Sequence, residues 1–270
     1  MANTSPIVSI MIKAAEKAAR SLNRDFGEVE QLQVSRKGPA DFVTAADKRS
    51  EEIIFEELRR ARPTYSFLME ESGEVKGEDS EHVWIIDPLD GTHNFMHGIP
   101  HWCISIALEK AGEVQAGIVY DPVKDEMFRA EKGTGAFMRN KRIRVSGRNN
   151  LEASTFCVGG IPIIDKERRA AFLRELDAVT TVAPMYRRTG SAALDLCYVA
   201  AGRFEGYWER GIKAWDVAAG ALIVKEAGGM VSTIDRGTNP VHDNNILAAN
   251  TNVHSDLKKL VRDAAKDMAA

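Results

Sequence analysis

The sequence predicts a mixed α/β fold, and three observations carry that expectation. Apolar residues recur at helical spacing at both ends of the chain and through its second half. Short apolar runs separated by turn residues crowd the middle. Two of those runs stop abruptly at acidic residues, Glu70-Glu71 and Asp87-Pro88-Leu89-Asp90. A chain of 270 residues suits one large α/β domain or two small ones, and 44% hydrophobic content supports a substantial core. The net charge of −3 gives no sign of a nucleic-acid surface. Cys103, Cys157 and Cys197 form neither a CxxC metal pattern nor a disulfide framework, which favours a reducing compartment. Residues 1–6 carry no Lys or Arg and the apolar stretch over 7–12 is broken by Ser9, so no signal peptide is read there. No run approaches the roughly 18 apolar residues of a membrane span. A cytoplasmic protein is expected, without direct nucleic-acid or membrane contacts.

Taken in order, Ser5-Pro6 reads as an N-cap followed by proline at the first helical position. Ile7, Met11, Ala14, Ala18 and Leu22 then predict an amphipathic helix over 6–22. A polar connection through Lys37-Gly38-Pro39 leads to residues 41–47. Ile53, Ile54 and Leu58 predict a second helix over 46–60, closed by Pro63. Strands are expected at 65–69, 83–86, 103–109, 113–120 and 126–130, with a further hairpin from 133–135 to 142–145. Together they predict a mostly antiparallel sheet. Beyond Ser146 come a strand at 153–158, helices at 166–179 and 191–201, and a strand at 204–208. A helix over 216–227 is stopped by Gly228-Gly229. A strand at 246–249 and a helix at 255–267 finish the chain. No repeat or low-complexity linker is visible, and the expected organisation is one domain over 1–270 with two sub-lobes, about 1–148 and 149–270.

The chemistry concentrates in residues 84–92, WIIDPLDGT. Asp87 and Asp90 end an apolar strand, where ligand crevices of α/β folds lie. Gly91 lets backbone approach a ligand, and the N–H groups after it can face an anion. Fixed carboxylates beside an anion cradle suit a divalent metal held between protein and phosphate, which points to a metal-dependent phosphatase. Each acidic residue also has a plain structural explanation, since Asp-Pro and Asp-Gly mark turns and an Asp before a helix caps it. Asp47 and Asp216 could cap helices, and Glu70-Glu71 could be solvated charges at a strand end. Taken together with Asp87 and Asp90, Asp47, Asp216 and Glu70-Glu71 supply the oxygen-rich shell that Mg²⁺ requires. Unit charges about 4 Å apart repel by ~4 kcal/mol at an effective dielectric near 20, so gathered carboxylates need cations. His93, His97 and His101 are spaced four apart, but Gly98 and Pro100 interrupt the helix that would align them, so zinc is not expected. GxSxG, Walker and GxGxxG motifs are absent from the sequence.

Residues 84–92 with Asn94-Phe95, Glu70-Glu71-Ser72, and WDVAAG at 215–220 with EAGG at 226–229 resemble the inositol monophosphatase family over nearly the whole chain. RRTGSAALDL at 187–196 and residues 198–203 are similar to its bacterial extragenic-suppressor branch. The resemblance implies a layered α/β/α/β/α sandwich, shared with fructose bisphosphatases, that hydrolyses myo-inositol monophosphate. It implies two or three Mg²⁺ ions on Glu70, Asp87, Asp90, Asp216 and the Leu89 carbonyl, with Glu70 also holding the attacking water. Asp47 and Thr92 match the pair that takes the water's proton, and Asp47 would contact a further metal through water. Gly91 and Thr92 N–H groups would hold phosphate. Asp90, the Gly190-Ser191-Ala192 turn, Glu209 and Asp216 would meet the substrate. The attack would be a direct in-line displacement, and the family's lithium sensitivity and homodimers would follow. Fructose 1,6-bisphosphate is the alternative substrate, and contacts with transcription machinery the alternative role. The chain departs from the family pattern at His93, where threonine is usual, at Met69, often glycine, and at Lys213, commonly histidine.

Overall fold

The computed structural model describes residues 4–28, 34–38, 41–160 and 165–266; Pro39 and residue 267, named above, lie outside them. Helix α1 (Pro6–Phe26) starts where predicted, with the Ser5 hydroxyl accepting from Val8 N at 3.3 Å. A hairpin not anticipated in the polar connection, β1 (Val34–Gly38) and β2 (Asp41–Thr44), feeds α2 (Ala45–Ala61).

The first large sheet holds β3 (Tyr65–Met69), β4 (Gly73–Val75), β5 (Asp79–Asp90), β6 (Cys103–Lys110), β7 (Glu113–Asp121), β8 (Glu126–Glu131), β9 (Gly135–Met138) and β10 (Lys141–Arg142). The short helix α3 (Thr92–Met96) follows β5 directly. Spatial order is β10-β9-β8-β7-β6-β5-β3-β4. The expectation of an antiparallel sheet holds except at one place: β3 and β5 run parallel, with Met69 opposite Ile86. The hairpin expected to reach residue 145 is shorter, because the chain turns after Met138, with Arg139 in the left-handed region, and Met138 pairs with Lys141.

The second sheet takes β11 (Thr155–Val158), β12 (Met185–Arg187), β13 (Gly206–Arg210), β14 (Met230–Ser232) and β15 (Asn245–Ala249), in the order β12-β11-β13-β15-β14. Helices α4 (Lys166–Val182), α5 (Ala192–Ala200), α6 (Ala214–Glu226) and α7 (His254–Lys266) are interspersed. Strands β12 and β14 escaped the sequence reading because three residues are too few to show a period.

The two-residue period of the strands sorts the side chains into layers. Trp84, Ile86, Ile104 and Ile106 face α1 and α2, packing with Met11, Leu22, Ile54 and Leu58. Ile85, Cys103 and Ala107 point the other way, onto α5 and α6. Tyr207, Ile246 and Ala248 of the second sheet close the same cluster from beyond those helices. Trp208, Leu247 and Phe156 face outward and pack with Phe172 of α4 and Leu257 of α7. The result is the expected α/β/α/β/α sandwich. A helix buried between two sheets has no polar face to keep, and α5 and α6 are accordingly apolar on nearly every side.

Candidate active site

The parallel pairing of β3 and β5 does the first positional work. Both strands end at the same edge, so the residues just past Met69 and Ile86, namely Glu70 and Asp87, arrive side by side; Glu70 N bonds Ile86 O at 3.2 Å. Beyond Asp87 the register of β5 against β6 slips: Asp87 faces Ser105 and Asp90 faces Cys103, leaving Pro88 and Leu89 opposite a single residue. Proline without an N–H is suited to such a bulge. The Pro88 carbonyl accepts from Ser50 Oγ at 2.8 Å, and Asp87 Oδ1 accepts from Leu89 N at 2.9 Å. Gly91 then turns the chain with φ of +95°, a side-chain-free position because a Cβ would come within 3.2 Å of the Trp102 backbone.

Asp47 and Thr92 come together from distant parts of the chain. Asp47 sits in the first turn of α2, in a capping box with Thr44, whose N–H donates to Oδ2 at 2.9 Å. The other carboxylate oxygen lies 2.9 Å from Thr92 Oγ1, which is also 2.9 Å from the Leu89 carbonyl. Asp47 is therefore both a cap and a partner of Thr92, joining the two readings that the sequence left side by side. Burial raises its pKa, opposed by hydrogen bonds from Thr44 and Thr92. Asp216 lies in the first turn of α6, where Oδ2 accepts from the Lys213 backbone N–H at 2.8 Å. That contact is made by backbone, so lysine in place of histidine at 213 leaves it intact.

The turn before α5 closes the site from the second sheet's side. Gly190 has φ of +92°. Ser191 Oγ and Ala193 N each donate to Asp90 Oδ2 at 2.7 Å. Gly190, Ser191, Ala192, Glu209, Asp90 and Asp216 line a common cavity of about 190 Å³. The predicted site residues thus gather in one region. The three histidines do not: the rings of His93 and His97 lie 4.5 Å apart, while His101 turns edge-on to Tyr198.

Several residues here were missed. Glu51, buried on α2, accepts from Glu71 N at 2.8 Å and from the Ser72 hydroxyl, so it anchors the Glu70-Glu71-Ser72 turn. Its place one helical turn after Asp47 was the available signal. Asn94 Nδ2 lies 2.8 Å from the His101 carbonyl and 2.9 Å from that of Thr189, tying α3 to the 189–191 turn. Asp195, which also lines the cavity, accepts from Thr189 Oγ1. Cys103, to which the sequence assigns no metal or disulfide role, is buried with its Sγ 3.9 Å from Asp90 Oδ2.

Electrostatics single out the cluster. Burial raises the Asp87 pKa well above the usual carboxylate range, and the charges of Glu70, Asp90 and Asp216 push it further. Asp216 is raised by burial and then by Asp90 and Glu70. Asp90 is raised to about 6 by burial, against the hydrogen bonds from Ser191 and Ala193. Among the described residues no three His, Cys, Asp or Glu side chains close into a ready-made ion-holding group. Asp87 instead shares a side-chain hydrogen bond with Glu70. A shared proton and a bound cation are alternative ways to neutralise the same pair. The donors are hard carboxylate oxygens, which fit Mg²⁺ rather than a softer metal.

By fold and site the chain falls among layered α/β/α/β/α proteins with a carboxylate-rich pocket at the sheet edge. Residues 3–267 match the sequence profile described as the inositol monophosphatase family. Inositol-1-monophosphatase of Mesorhizobium japonicum is 52% identical over 258 residues, covering 96% of this chain and 97% of that protein. Nus factor SuhB of Haemophilus influenzae is 41% identical over 258 residues, 96% of each chain. The crystal structure of extragenic suppressor protein suhB from Bartonella henselae superposes with a TM-score of 0.92 at 49% identity, covering 96% of this chain and 99% of that one. The chain belongs to the inositol monophosphatase family, a family of phosphatases.

Proposed function

We propose that this protein is a Mg²⁺-dependent, cytoplasmic phosphomonoesterase that releases phosphate from myo-inositol monophosphate by direct attack of water. The observation that carries the reading is the convergence of Glu70, Asp87, Asp90 and Asp216, where burial, and then the neighbouring carboxylates, raise the Asp87 and Asp216 pKa values. Glu70, Asp87, Asp90, Asp216 and the Leu89 carbonyl would hold two or three ions. When bound, Mg²⁺ would neutralise these carboxylates, acidify the attacking water and stabilise charge on the phosphoryl oxygens.

The chain's own groups do the rest. Glu70 orients the water. Thr92 Oγ1 takes a proton from it and passes its own to Asp47, along the 2.9 Å hydrogen bond between them. Gly91 and Thr92 N–H groups face the phosphate. Asp90, Asp216, Glu209 and the Gly190-Ser191-Ala192 turn take the alcohol part. The whole chain works as one catalytic unit of two lobes, about 1–148 and 149–270, since both supply metal ligands (Asp90 and Asp216) and both reach the alcohol pocket. The test is phosphate release from myo-inositol 1-phosphate with and without Mg²⁺, and loss of turnover without the ion is expected.

A homodimer is part of the proposal. Leu173 of α4, and Met185 and Tyr186 on the edge strand β12, are exposed apolar residues at 47%, 53% and 43%. A second, regulatory role is favoured by the relatives named Nus factor SuhB, at about 40% identity over nearly the full chain. It would run through protein contacts with transcription machinery, and failure of the protein to bind purified transcription factors would contradict it.

A further inference from the structure

Two features of the second sheet have no part in the water side of the site. One is the pair Gly159-Gly160, just past β11. The other is the hydroxyl of Tyr207, a fully buried residue on β13. Both meet at Glu209. Tyr207 and Glu209 are two residues apart on one strand, hence on one face, and the Tyr207 hydroxyl donates to Glu209 Oε2. Gly160 N donates to Oε1 at 2.7 Å. Gly159 is not in the left-handed region, so no turn demands glycine there. A Cβ at that position would instead fall on the Glu209 carboxylate. Space from one residue and a donor for each oxygen from two others therefore fix this side chain.

We infer that Gly159, the Gly160 N–H and the Tyr207 hydroxyl form a holder that presets Glu209 as an acceptor for substrate hydroxyls and makes the pocket selective for polyol esters. The inference rests on the proposed reading of the cavity as the alcohol side. Asp90 and Asp195 lie near enough for their charges to act on Glu209, and an unheld carboxylate would swing away from them. Held, it keeps lone pairs for an incoming hydroxyl, and the cost of ordering it is met during folding rather than at binding. A phosphate ester without a hydroxyl leaves that acceptor unsatisfied, which is the basis of strong discrimination.

The test compares kcat/KM of the Mg²⁺-loaded full chain for myo-inositol 1-phosphate and for p-nitrophenyl phosphate, which has no hydroxyl on its ring. Tyr207→Phe and Gly159→Ala should each lower the polyol-to-aryl ratio about tenfold or more, chiefly through KM for the polyol. In a Glu209→Ala background, Tyr207→Phe should shift the ratio less than about twofold, because both act on one contact. Equal losses on both substrates, an unchanged ratio, or losses that multiply with Glu209→Ala would overturn the holder. The two variants act by different routes, so misfolding of Gly159→Ala leaves Tyr207→Phe to decide. A wild-type protein that hydrolyses the aryl ester but no polyol ester would overturn the underlying reading instead.

Discussion

Asp87 is where the chemistry and the stability of this protein meet. Its carboxylate is buried among like charges, so Asp87→Asn should lower turnover by several powers of ten while the metal-free protein stays folded. The amide can still accept from Leu89 N, and repulsion is relieved. Turnover near the wild-type level in a folded variant would contradict the role. Burial of the carboxyls around Asp87 sets a pH dependence. A carboxyl whose pKa is higher folded than unfolded contributes stability at low pH and loses it as pH rises through the folded value. Asp90 is raised from 3.8 to about 6, and Asp195, by burial, from 3.8 to about 8. His101 works the other way: burial lowers it from 6.5 to about 4, so its contribution is lost as pH falls through that range. Above pH 6.5 the raised carboxyls outweigh His101, so metal-free stability should decline with pH up to about 8, and saturating Mg²⁺, by holding Asp87, Asp90 and Asp216 ionised, should flatten the slope. Urea titrations across that range decide it, and identical slopes with and without Mg²⁺ would count against a cation among the carboxylates. At this scale the sequence was informative where a residue stood in a long motif, as Asp87 and Asp90 do. Glu51 and Asn94 act through contacts far along the chain, Asp195 and Tyr207 through nearer ones, and the local signals that some of them carry, a helical turn after Asp47 or a place inside a motif, do not name those partners.

Elements carry the site through close approaches. Gly117 on β7 lies under α6, and a Cβ there would come within 2.9 Å of the Ala219 backbone. Overpacking against backbone that cannot yield should cost about 1–3 kcal/mol, so Gly117→Ala should be destabilised by that amount in urea. Gly147→Ala, with nothing within 4 Å of the added Cβ, is the control and should be near neutral. Equal stability of the two variants would mean that the sheet and α6 are less tightly fitted. The helices were legible because caps and periodicity are local signals: Ser5-Pro6 and Gly228-Gly229 bracket two of them as expected. The parallel pairing of β3 with β5 was not, since strand direction depends on which chain segment lies alongside. That pairing is what sets Glu70 next to Asp87.

The whole molecule is layered by alternation, and the alternation itself was readable. What lay outside any one-dimensional pattern was which layers meet; the resemblance of the acidic motifs to a family supplied that. At this scale a homodimer should form through the open edge of β12. Sedimentation should give twice the chain mass, falling toward the single chain in Met185→Glu. A wild-type monomer at micromolar concentration would remove that part of the proposal. The central claim, a metal-dependent phosphatase of polyol esters, is met most directly by metal-stripped protein assayed for phosphate release before and after Mg²⁺ is added back. Both myo-inositol 1-phosphate and fructose 1,6-bisphosphate should be offered. Release should be negligible without Mg²⁺, and with it turnover should favour the inositol ester. Turnover that needs no divalent ion, or none of either ester with Mg²⁺ present, would contradict it.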